Sequence, residues 1–154
     1  MKQRTIARTI EIVGIGLHKG VPVKMKLEPL DSDMGIIFYR VDAGVTIPLK
    51  KEFVVDTKMA TVIGKDGVVV STIEHLLSAV YAYGIDNLRI VIDNDEVPVL
   101  DGSSAGYCML IEEAGIKELE KSKKAIKIKK MVEVTTPEGK RVCLKPSNRI
   151  VYDF

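Results

Sequence analysis

The sequence predicts an α+β fold: a two-layer sandwich of a mainly antiparallel sheet packed on two helices, followed by the opening strands of a second, similar domain. Three observations carry this. Short runs of alternating apolar and polar residues recur along the chain, punctuated by Gly, Asp and Pro. Two stretches show helical spacing, one opening near Ser71 and one near Asp101. A charge-rich segment over residues 117–130 then interrupts the pattern before alternation resumes. The 154 residues therefore divide into an expected sandwich domain over 1–120 and, over 121–154, a linker with the first strands of an incomplete second domain.

The hydrophobic fraction of 46% is enough for a real core. A net charge of +2 is too mild to argue for nucleic acid or a membrane surface. Trp is absent and aromatics are few, which argues against stacking platforms for single strands. There is neither an apolar signal region nor an apolar run of transmembrane length, so a soluble, cytoplasmic protein is expected. Cys108 and Cys143 lie far apart without a CxxC spacing and are expected to be reduced thiols.

Residues 5–13 largely alternate and predict one half-buried strand. Gly14-Ile15-Gly16-Leu17-His18-Lys19-Gly20 breaks it; three glycines in seven residues permit positive φ and close backbone approach. Residues 21–27 alternate again as the returning strand. The loop reads as a hairpin turn or, from its excess length and its histidine, as a functional loop. Its GxG is weak evidence for nucleotide binding, because no GxGxxG follows and the next element is a strand. Residues 28–34 are turn-like and 35–40 a short strand. Residues 45–49 are extended, with Pro48 suggesting an edge or a strand end, and 53–55 follow. Residues 58–63 and 68–70 flank Lys65-Asp66-Gly67, a strong hairpin signal.

Ile73, Leu76, Leu77, Val80 and Tyr81 fall on one face of a helix that Gly84 ends. Ser71 with Glu74 fits a Ser-x-x-Glu capping box. Glu74 therefore reads as a helix cap or as a general base, and His75 as a hydrogen-bonded, partly buried histidine or as a metal ligand. Residues 87–92 form a strand, ended by Asp93-Asn94-Asp95. Asp101-Gly102-Ser103-Ser104 signals the turn and N-cap of a second helix running to about Gly115. Asp101 either initiates that turn or points a carboxylate between the helices. Residues 117–130 read as a solvated face or linker, with strand alternation resuming over 125–128. Residues 131–135 and 141–144 flank Pro137-Glu138-Gly139, another hairpin, and 150–154 begins one more strand. Its apolar Ile150, Val151 and Phe154 need a core, so the chain is expected to stop inside a second domain.

Several motifs share one order and spacing: the 14–20 loop, Ser71-Thr72-Ile73-Glu74-His75-Leu76, Gly84-Ile85-Asp86-Asn87, and Glu96-Val97-Pro98-Val99-Leu100-Asp101-Gly102-Ser103. Together they closely resemble the UDP-3-O-acyl-N-acetylglucosamine deacetylases, zinc enzymes of lipid A synthesis in Gram-negative bacteria. The likeness covers all 154 residues but only the amino-terminal half of a family member, and residues 136–148 resemble the start of the second domain. The resemblance implies two similar domains whose helices face each other across the site. It implies hydrolysis of the N-acetyl group of a UDP-sugar lipid precursor, with Glu74 as general base and His75 as one ligand of Zn2+. A zinc ion with three protein ligands keeps one position for water and lowers its pKa to about 7.

By the same resemblance Leu17, His18, Met59, Ala60 and Thr61 wall the substrate and acyl-chain site. Lys140 falls in a basic patch that neutralises a diphosphate, although its position alone reads as a solvated hairpin lysine. Asp101 is structural or lines the site. The family's remaining ligands, a His-x-x-x-Asp motif, and a further acid histidine lie in the missing half, and this chain has only His18 and His75. The chain is therefore expected to be inactive alone and to need the missing carboxy-terminal half, or another chain, as partner; no nucleic acid is expected. Two other readings are a non-catalytic binding module, whose charged 121–130 segment contacts RNA or protein, and an assembly module that self-associates through unpaired edge strands.

Overall fold

The computed structural model describes residues 1–153, and the chain divides into two units after Lys123. In the first unit the strands are β1 (Lys2–Ile6), β2 (Ile10–Ile15), β3 (Pro22–Pro29), β4 (Ile36–Arg40), β5 (Val45–Pro48), β6 (Val54–Asp56), β7 (Val62–Lys65), β8 (Val68–Val70), β9 (Leu88–Ile92) and β10 (Ile116–Ser122). The helices are α1 (Glu74–Ala82) and α2 (Ala105–Ala114). This is an α+β architecture, as the sequence predicts.

The main sheet runs β2-β3-β9-β4-β5. Only its β4–β9 pair is parallel. Period-two alternation sends Ile10 and Ile12, then Val23, Met25 and Leu27, then Leu88, Ile90 and Ile92 to one buried face. Phe38 and Ile47 join them. Leu76, Ala79 and Val80 of α1 and Tyr107 and Ile111 of α2 complete this core. Each large side chain buried there contributes about 1.5–3 kcal/mol. Pro48 lies on an edge strand, where its missing N–H costs nothing.

A second sheet, β6-β7-β8, leads into α1. Its β7–β8 turn holds Asp66 at φ 53° and Gly67 at φ 79°, the twist a tight two-residue hairpin requires. Helix α1 stops at a Schellman motif: Gly84, at φ 62°, donates to the Tyr81 carbonyl, and Ile85 donates to that of Val80.

Four expectations are corrected. Residues 5–13 are not one strand, because β1 pairs with β10 whereas β2 pairs with β3. The chain breaks between them so that both Ile6 and Ile10 reach the core, and the Ala7 N–H donates to the Gly115 carbonyl. Residues 116–122 form a strand, β10, where the sequence leaves a solvated face or a linker open. Only Leu119 of this strand is buried, which is why its sequence reads as a solvated charge run. The Ser71–Glu74 capping box does not form, because the N-cap position falls on Ile73. No strand occupies 125–128 or 150–153, and Phe154 lies outside the described residues.

The second unit contains the hairpin of β11 (Val132–Thr135) and β12 (Arg141–Leu144), paired antiparallel around the 136–140 turn. Among the described residues no helix is long and apolar enough to cross a membrane.

Candidate functional site

The site is built where β8 passes into α1. Ser71 does not cap the helix: it lies two residues before the N-cap position, and its backbone pairs elsewhere. Its N–H donates to the Asp95 carbonyl at 2.8 Å, and its own carbonyl accepts the Val97 N–H at 3.1 Å. Thr72 follows at φ 57°, and Ile73 takes the N-cap position with no side-chain bond. Glu74 is thereby the first helical residue, where a carboxylate favours the positive end of the helix. Its Oε2 accepts the backbone N–H of Thr61 at 3.1 Å, while Oε1 has no protein partner among the described residues. Glu74 is thus tied to a neighbouring loop instead of closing a capping box.

His75 is half-buried in the first turn of α1, and its ring has no hydrogen-bond partner among the described residues. Met59 is strongly exposed, and Ala60 and Thr61 are half-buried. Thr61 is joined to Glu74 directly, so the 58–61 segment and the start of α1 form one surface.

Leu17 and His18 are exposed on the β2–β3 loop. His18 Nδ1 lies 2.7 Å from Glu96 Oε1, and the Thr72 hydroxyl donates to the same oxygen at 2.9 Å. The loop is therefore bound to the residues that lead into α1. Glu96 enters the sequence reading only as the first residue of the 96–103 motif, with no site role. It is 3% exposed and also accepts the amides of His18 and Lys19. Burial pushes its carboxyl up, but the hydrogen bonds from His18, Thr72 and Lys19 outweigh this and hold it below its ordinary value. The available signal was Gly16: a Cβ there would lie 2.5 Å from Glu96 Oε2, so a larger residue would displace the carboxylate.

Asp101 is exposed, and it accepts the Ser103 N–H at 3.0 Å and its hydroxyl at 2.9 Å. These bonds hold its carboxyl below the usual range. The Ser103 hydroxyl in turn accepts the Ala105 N–H, so Asp101 shapes the entry to α2. Lys140 belongs to the second unit, where its side chain is exposed and its N–H meets the Thr136 hydroxyl oxygen at 3.3 Å.

No group of three or more His, Cys, Asp or Glu side chains among the described residues is placed to hold a metal ion. The chain's own residues therefore do not fit a complete metal site, and His75 stands as a single candidate ligand. What the local geometry offers chemically is a proton acceptor, Glu74 Oε1, beside an imidazole free to take a ligand.

Residues 3–154 match the family described as UDP-3-O-acyl N-acetylglycosamine deacetylase. The chain is 89% identical over 154 residues to the UDP-3-O-acyl-N-acetylglucosamine deacetylase of Aliarcobacter butzleri, covering 100% of this chain and 51% of that protein. Its identity to the protein of the same name from Nautilia profundicola is 65%, over 100% of this chain and 52% of the relative. For that of Helicobacter pylori strain J99 it is 60%, with the same coverages. The chain spans about half the length of the curated relatives it matches.

Proposed function

The chain belongs to the UDP-3-O-acyl N-acetylglycosamine deacetylase family, and on that premise we propose that it supplies the amino-terminal half of a split amide-hydrolase site. The substrate is UDP-3-O-acyl-N-acetylglucosamine, the reaction is removal of its N-acetyl group in the cytoplasm, and the product is committed to lipid A. The observation that supports this best is the first turn of α1. Glu74 is held through one carboxylate oxygen by Thr61, which leaves the other to take a proton from the attacking water. His75 sits at the adjacent position, and its ring has no protein partner among the described residues.

Leu17, His18, Met59, Ala60 and Thr61 line the substrate side of this surface, and Lys140 meets the diphosphate. Zinc, when bound, supplies Lewis-acid chemistry at the acetamide. His75 would be one of its ligands, and the others would come from residues outside this chain.

The test is complementation. The purified chain is assayed for acetate release from the acetylated sugar nucleotide, alone and mixed with the carboxy-terminal half of a full-length relative and zinc. Turnover is expected only in the mixture and is lost with Glu74→Ala. Turnover by the chain alone, or a mixture indifferent to Glu74→Ala, overturns the proposal.

A further inference from the structure

Glu96 lies where the 14–20 loop meets the lead-in to α1. Its segment bridges both: Pro98 pairs with Gly16, and Glu96 pairs with Ser71. A buried carboxylate is costly unless its lone pairs are used, and here they are. Oε1 faces His18 Nδ1 at 2.7 Å, the Thr72 hydroxyl at 2.9 Å and the His18 amide at 3.1 Å. Oε2 faces the amides of His18 at 3.2 Å and Lys19 at 3.4 Å.

An ionised carboxylate only accepts, so the proton of the His18–Glu96 bond sits on Nδ1. In the neutral ring Nε2 then keeps its lone pair. The His18 side chain is 40% exposed, and Nε2 has no protein partner among the described residues. Thr72, anchored to the same oxygen, sits at φ 57°, a conformation that β-branched residues rarely adopt. It stands two positions before Glu74. One carboxylate thus sets the ring of His18 and restrains the approach to the first turn of α1.

We infer that Glu96 is a positioning residue: it holds His18 as the Nδ1–H tautomer, with Nε2 turned outward as an acceptor for a hydroxyl or amide N–H of the substrate. This rests on placing His18 in the substrate wall. Glu96 itself is covered and acts through His18.

The test uses the whole chain labelled with 15N-histidine. It has only two histidines, so a His75→Ala variant assigns the ring signals. Ring-nitrogen shifts are recorded well above the ordinary histidine pKa of about 6.5. Wild type is expected to show His18 as the Nδ1–H tautomer. Glu96→Ala is expected to shift it toward the Nε2–H form that free imidazole favours, leaving the His75 signals and the amide fingerprint of the core in place. Gly16→Ala is expected to shift it part of the way, by displacing the carboxylate without removing it. A wild-type His18 in the Nε2–H form overturns the inference, as does a Glu96→Ala ring that does not change. The wild-type spectrum decides by itself if a variant fails to fold. None of these readouts needs hydrolysis, so failure here and failure of the complementation assay are separate results.

Discussion

The backbone N–H of Thr61 donates to Glu74 Oε2 at 3.1 Å, joining the segment before β7 to the first residue of α1. This bond decides which carboxylate oxygen of Glu74 faces outward. A hydrogen bond to a charged group is worth about 1.5–3 kcal/mol. Thr61→Pro removes the donor while keeping the loop length. It is expected to lower kcat/KM of the complemented enzyme by on the order of 10-fold or more. Glu74→Ala removes the proposed base and is expected to cost on the order of 10²–10⁴-fold. Parallel kinetics on the two variants check this, and a Thr61→Pro enzyme with wild-type kcat/KM would remove the orienting role.

Leu76 follows His75 on α1 and is fully buried against the main sheet. Its truncation leaves a cavity that the surrounding Ile and Val side chains close only in part. Leu76→Ala is expected to lower the stability of the first unit by about 2–5 kcal/mol. Urea denaturation of wild type and variant, followed by circular dichroism, measures this from the shift in midpoint.

Most of the first unit was readable because its strands alternate cleanly and its turns carry diagnostic residues, Asp66-Gly67 above all. The helix face of Ile73, Leu76 and Val80 was equally plain, since burial follows the 3.6 period. The start of α1 was misread because the Ser-x-x-Glu spacing is a local rule and tertiary pairing overrode it: Ser71 bonds Asp95 and Val97, far along the chain. Glu96 was overlooked for the same kind of reason. Its partners His18 and Thr72 are remote in sequence, and a glutamate ending the polar run Asp93-Asn94-Asp95 reads as exposed.

Glu96 also predicts a pH dependence. Its carboxyl is held below the ordinary value in the folded chain. The unfolded state therefore takes up this proton first as pH falls. The stabilisation is complete above the unfolded carboxylate pKa of about 4.3 and is lost as pH falls through the lower folded value. Glu96→Gln removes this titration while keeping the side-chain shape. Denaturant midpoints measured down the acid range should fall less steeply in the variant. Equal slopes in the two proteins would show that Glu96 does not titrate differently on folding.

The pairing of β1 with β10 makes residues 116–122 part of the first unit, and this can be tested by shortening the chain. Gln3 and Thr5 of β1 are buried, and the Gln3 side-chain amide donates to the Ser122 carbonyl at 3.2 Å and to Asp33 at 2.8 Å. Its carbonyl accepts from Asn87 at 2.9 Å. The cross-strand ion pairs Arg4–Glu118 and Lys2–Glu120 are exposed and add little. The weight of the pairing therefore rests on the backbone ladder, on Leu119 and on the covered Gln3 network. A chain ending at Lys123 keeps all of these and should unfold at the wild-type urea midpoint. A chain ending at Gly115 loses the ladder and uncovers β1. Its midpoint should fall, corresponding to a stability loss on the order of the cost of leaving buried polar groups unpaired, about 1–3 kcal/mol each. If the two truncations unfold alike, β10 is dispensable to the first unit and the charge run is a linker after all.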